Sequence, residues 1–141
     1  MKQPRTAVRI DSEKKSSKTR RPRLPRVSDA TRRLASLIEA EVLGWPNVTS
    51  RPMFGLNGVY RGSKIFAVLP RTRTMDERDS IAFRLPRQVG RIRAALRKDE
   101  RIVMQTPGAK WISFLIRSDA DIHDALQWLA LAYRETTRDA K

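Results

Sequence analysis

Residues 48–70 read VTSRPMFGLNGVYRGSKIFAVLP, and their period decides the fold. Upstream, apolar residues recur every three or four positions. Here the runs become short, rich in β-branched and aromatic residues, and broken by Gly, Asn and Pro, which is how strands and their turns read. The RGSK step between GVY and IFAVLP reads as a hairpin turn. SIAFRLP (80–86) has the same character, and the longer loop RTRTMDERD (71–79) separates it from the hairpin.

Outward from this block the pattern is helical on both sides. SDATRRLASLIEAEVLG (28–44) predicts a first helix, with Ser28 or Asp29 as N-cap and a stripe of Leu34, Leu37, Ile38 and Val42 facing a core; Gly44 and Pro46 end it. Pro86 opens a second helix, RQVGRIRAALRKDE (87–100), with Val89, Ile92, Ala95 and Leu96 on its apolar side. RIVMQT (101–106) and KWISFLIR (110–117) read as two more strands joined by the turn PGA. Trp111, Phe114 and Ile116 do not alternate strictly, which predicts a central strand covered on both faces. Ser118 with Asp121 resembles a capping box, and Ile122, Ala125, Leu126, Leu129 and Tyr133 give the last helix a clear amphipathic stripe. The order α-β-β-β-α-β-β-α predicts a single α+β domain over 27–137, its helices packed on one mostly antiparallel sheet of about five strands.

Ahead of this body, residues 1–26 carry ten Lys or Arg against one Asp and one Glu, a net +8 within the chain's formal +15. With few large apolar residues to offset the entropy of ordering it, the segment is expected to be a disordered basic arm. Such arms bind polyanions, nucleic acid first and acidic membrane surfaces second. Residues 27–141 add 20 basic and 13 acidic groups, so the body is also positive. The chain has no cysteine, which excludes disulfides and thiolate metal sites. No apolar stretch approaches a membrane span or a secretory signal, so a cytoplasmic protein is expected. In that setting the sequon NVT at Asn47 has no glycosylation meaning.

Residues 51–70 resemble the opening of the family that includes the N-terminal domain of the competence regulator TfoX and the YjbR/MmcQ-like proteins. In that family a helix leads into a "MFG" strand and a glycine-turn hairpin; Met53, Phe54, Gly55, Lys64, Ile65, Phe66 and Ala67 stand in those places. KWISFLIRSDADIHDALQWLALAYRE resembles the end of the YjbR-like and so-called luciferase-domain sequences. Together the two stretches span most of residues 30–135. The resemblance implies this α+β fold and, through the YjbR-like members, DNA binding. The basic arm and the long 71–79 loop are not part of the shared pattern.

Catalytic and metal patterns are weak. His123 is the sole histidine; Asp119, four residues earlier, is placed to pair with it across one helical turn. That pair reads better as helix-start electrostatics than as a site. Asp76, Glu77 and Asp79 in the loop would suit a hard cation but lack the spacing and glycine of an EF-hand. No serine sits in a nucleophile elbow, and Gly55, Gly58 and Gly62 read as turn glycines rather than a phosphate loop. No cofactor is implied, and the chain reads as non-catalytic.

The basic face says more. Arg84, Arg87, Arg91, Arg93, Arg97, Lys98 and Arg101 crowd one 18-residue stretch, opposed only by Asp99 and Glu100. Arg93 and Arg97, at i and i+4, repel without a counter-charge, which phosphates would supply. Most aromatics occupy core-like positions, so base readout is not indicated. The expected partner is therefore nucleic acid, DNA before RNA, held by its phosphates through Lys14, Lys15, Lys18, Arg20, Arg21, Arg23 and Arg26 of the arm and Arg87, Arg91, Arg93, Arg97 and Lys98 of the second helix. The alternative is a groove between sheet and helices for a small anionic ligand or a protein partner, with Arg51 and Lys64 as polar contacts. An unrecognised enzyme comes third and needs a cluster of ionisable side chains that the linear sequence does not show.

Overall fold

Two glycine turns organise the sheet. Gly62 takes φ +61° between Arg61 and Lys64, and Phe54–Gly55 both take positive φ between Met53 and Leu56. Two-residue turns of this hand match the right-handed twist of the strands they join. The computed structural model describes residues 24–75 and 77–139, in the order α1 (Asp29–Val42), β1 (Val48–Met53), β2 (Leu56–Arg61), β3 (Lys64–Pro70), β4 (Ser80–Arg84), α2 (Gly90–Lys98), β5 (Ile102–Val103), β6 (Trp111–Leu115) and α3 (Ala120–Asp139). Lys14, Lys15, Lys18, Arg20, Arg21 and Arg23 of the expected arm, and Asp76, lie outside the described residues.

The class is α+β, one domain with helices on a fully antiparallel sheet of order β1-β2-β3-β4-β6-β5. The sheet has six strands rather than about five, since the hairpin expected at RGSK contributes two of them, β2 and β3, where the element order counted one. The β4–α2–β5 connection carries β5 past β4 to the far side of β6. Both edges are protected: β1 carries Arg51 and Pro52, and β5 is two residues long.

Alternation along the strands sends Val59, Leu69, Ile81, Phe83, Ile112 and Phe114 toward the helices. There they meet Leu34, Ala35, Ile38 and Val42 of α1, Leu96 of α2, and Ala125, Leu129 and Ala132 of α3 in one core. Phe66, Phe83 and Phe114 are fully buried, each worth roughly 1.5–3 kcal/mol relative to exposure. Trp128 stacks on Phe83 with ring centroids 5.6 Å apart. Tyr133 meets Trp45 and Phe66 edge-on and donates its hydroxyl to the Pro46 carbonyl at 2.7 Å.

Ser28 is the α1 N-cap, accepting from the Thr31 N–H at 3.1 Å. Four expectations change. Leu37 is exposed, and Ala35 takes its place on the buried stripe. The second helix shrinks to nine residues starting at Gly90. Val89 becomes an exposed N-cap without a side-chain bond, because Gln88 is tied instead to the Leu85 and Ala109 carbonyls. β6 is covered on one face only: Ile112 and Phe114 are buried, while Trp111 is exposed on the other side. Lastly, residues 24–26 belong to the body rather than the arm. Leu24 packs on Leu56, Val68 and Ala82; Pro25 O accepts from Thr74 N at 2.9 Å; and Arg26 bridges to Arg73.

Candidate nucleic-acid interface

α2 is held by little. Leu96 is its one fully buried side chain, Ile92 packs beside it, and no acidic residue stands in its first turn. Arg91 and Arg93 face the positive end of the helix dipole there, which is unfavourable, whereas Arg97 and Lys98 sit favourably in the last turn. All four side chains are exposed, and none has an ion pair among the described residues. Arg87 precedes the helix, is exposed, and has a partner of its own. Of the arm's candidate phosphate contacts only Arg26 is described; it is exposed beside Arg73.

Arg101 closes the same basic run but is fully engaged. Its guanidinium donates to Asp99 at 3.0 Å, Asp121 at 2.9 Å and Asp124 at 2.7 Å, and lies 4.7 Å from the Phe114 ring centre. Burial alone would raise the Asp99 pKa, but hydrogen bonds from the Arg101 side chain and backbone and from the Trp128 indole hold it below the usual carboxylate range. For Asp121 burial is likewise outweighed by the N–H groups of Arg117 and Ser118 and by Arg101. Arg101 is correspondingly pushed up, first by Asp99, then by Asp124 and Asp121. The cluster bolts the end of α2 to the start of α3. Asp99, which the sequence sets against the α2 cations, is thereby turned inward.

The remaining candidates separate. Cross-strand partners share a face, and Arg51 pairs with Gly58 while Lys64 pairs with Arg61. Gly58 and Arg61 are three residues apart on β2, an odd number, so Arg51 and Lys64 point to opposite faces and form no common site. Arg61 faces the helices, donating to Tyr133 O at 2.9 Å. Asp119 pairs with Arg33 instead of His123, whose ring meets Gln127 at 3.2 Å. Asp79 accepts from Thr31 Oγ1 at 2.7 Å, and no group of three acidic or histidine residues is placed to hold a metal among the described residues. Among those residues no helix is long and apolar enough to cross a membrane.

The linear sequence named Arg51 but not the exposed aromatics near it. On the sheet face away from the helices, Trp111 is 38 % exposed, and Arg51 lies over the Tyr60 ring at 4.3 Å. Phe54, 86 % exposed, stands at the β1–β2 tip. The signal was present: strict alternation along WISFLI pairs Trp111 with Ser113, not with Phe114. Compared with family models, curated proteins and solved structures, the chain matches none.

Proposed function

We propose that this protein is a non-catalytic nucleic-acid-binding protein that grips the phosphate backbone through its basic N-terminal segment and α2. The observation that carries the reading is the uneven use of charge around α2. The fold gives three aspartates to Arg101 and none to Arg91, Arg93, Arg97 and Lys98, which stay exposed without a counter-charge among the described residues. A short helix with no side-chain cap tolerates this repulsion at some cost, and phosphates remove it. The chain's formal +15 favours the same class of partner, as does the resemblance to YjbR-like proteins. The engaged positions of Asp119 and Asp79 and the exposed His123 favour binding over catalysis.

The test is a salt series with the full chain and a variant carrying Arg91→Gln, Arg93→Gln, Arg97→Gln and Lys98→Gln, binding mixed-sequence duplex DNA and RNA. Each phosphate contact contributes about 0.9 to the slope of log affinity against log salt on B-DNA, so losing all four flattens it by about 3–4. An unchanged slope would remove α2 from the interface. No binding by the full chain at about 50 mM salt would sink the reading altogether.

A further inference from the structure

We infer that the helix-free face of the sheet is a stacking surface for single-stranded nucleic acid, with Trp111 and the Arg51–Tyr60 pair as its base contacts. This rests on the phosphate-binding reading above and extends it to the state of the strand.

The register gathers these groups. Tyr60 and Gly58 on β2, Val68 on β3, Ala82 and Arg84 on β4, and Trp111 and Ser113 on β6 share the face, through the pairs Gly58↔Val68, Val68↔Ala82, Ala82↔Ser113 and Arg84↔Trp111. Gly58 keeps the floor flat: a Cβ there would lie 3.1 Å from the Tyr60 ring and 3.3 Å from Ile65. Arg51 lies over the Tyr60 ring and is itself exposed, and a guanidinium group stacks on a base as an aromatic does. β2 and β6 are three strand spacings apart, roughly 14 Å, so the two contacts take different bases.

Beside Trp111 lies a cleft of about 540 Å³ between β5–β6 and the 71–79 loop, floored by Leu56, Val68 and Ala82. Gln105, Thr106 and Ser113 supply hydrogen-bonding groups at its rim. Glu77, also on the rim, is wrong for phosphate but suits the amino groups of base edges. In a duplex the bases are stacked on one another and their planes are closed to protein. The middle of this face, at Leu56, Val68 and Ala82, is buried beneath Leu24 and Met75, and Trp111 is exposed beside it; an exposed aromatic in that position selects unpaired strands.

A second observation concerns where the basic N-terminal segment enters the described body. Leu24 packs on Leu56, Val68 and Ala82, so the chain joins the body on the helix-free side. Nine Lys or Arg precede Leu24 in the sequence.

The test uses the full chain with 20-nucleotide oligothymidylate, oligouridylate and a duplex of equal length, at matched salt. Trp111→Ala removes the ring, and Trp111→Leu keeps apolar bulk without an aromatic, so stacking separates from folding. The expected result is that single strands bind more tightly than the duplex. Both variants should weaken single-strand binding about ten-fold, within the range for one stacked base, with duplex affinity and melting temperature unchanged for Trp111→Leu. Comparing the two oligomers shows whether the ribose hydroxyl matters. Equal single-strand binding by wild type and Trp111→Leu overturns the inference but leaves the phosphate reading intact if the duplex still binds with a steep salt dependence. If the full chain binds neither oligomer nor duplex, both fall.

Discussion

Phe54 holds φ +55° at the first position of a two-residue hairpin turn, where Asn is the usual choice, and its side chain is 86 % exposed. A bulky residue in the left-handed region costs about 1–2 kcal/mol, and an exposed ring recovers little of that. Phe54→Asn is therefore expected to stabilise the chain by about 1 kcal/mol, read from the urea midpoint. No gain would mean that the ring makes a compensating contact. Gly55 next to it has no such freedom. Its φ is +82°, a Cβ would sit 2.4 Å from Arg73 Cγ, and its carbonyl accepts the Thr72 and Arg73 N–H groups at 2.9 Å each. Gly55→Ala is expected to cost about 1–3 kcal/mol and to loosen the loop from the hairpin. The sequence shows Gly55 as a turn residue. Its second role, as the seat of the 71–79 loop, comes from a neighbour 16 or more positions away.

Between elements, the Arg101 cluster is the main polar link of α2 to α3. Asp99 and Asp121 have folded pKa values below the ordinary ones, so they bind protons less readily folded than unfolded. Their stabilisation is complete above the unfolded carboxylate pKa of about 3.9 and drains as pH falls through the folded values. Arg101→Met leaves three carboxylates facing one another, two of them only 15–16 % exposed. The expected loss is about 2–3 kcal/mol at pH 7, less than for a fully buried pair because Arg101 and Asp124 reach solvent. The gap between variant and wild type should narrow toward pH 3, as urea unfolding at the two pH values would show. The α2 cations behave oppositely. Replacing Arg91, Arg93, Arg97 and Lys98 with Gln should leave stability unchanged or raise it by a few tenths of a kcal/mol, and a loss of stability would show that they serve the fold. The linear sequence counts Arg101 with those four, because nothing local distinguishes a cation that will meet Asp121 and Asp124 some 20 residues later.

At the scale of the whole molecule, the sheet divides the protein into a helix layer carrying α2 and a helix-free face partly covered by residues 24–26. A chain beginning at Leu24 is expected to be more stable than one beginning at Val27, by about 1–3 kcal/mol in thermal or urea unfolding. The shorter chain loses the Leu24 packing and leaves the N–H of buried Thr74 without Pro25 O. Equal stabilities would show that the contact contributes nothing. The Ser28 cap, most of the helical stripes, the Gly55 and Gly62 turns and the α+β class were legible in the chain, since each is a local preference; Gly58, read as a turn glycine, lies inside β2, and Ala95, read on the apolar side of α2, is exposed. The paired-strand count was short by one at the Gly62 turn, and the burial of both faces of β6 was expected wrongly. Local pattern determines period, and hence which residues share a face; it leaves open what, if anything, covers that face. Only tertiary packing decided that Phe114 meets the helices while Trp111 meets solvent, that Arg51 and Lys64 part company, and that Leu24 packs on the helix-free side. Each of those outcomes depends on groups distant in sequence, whose attraction or absence no window of the chain contains.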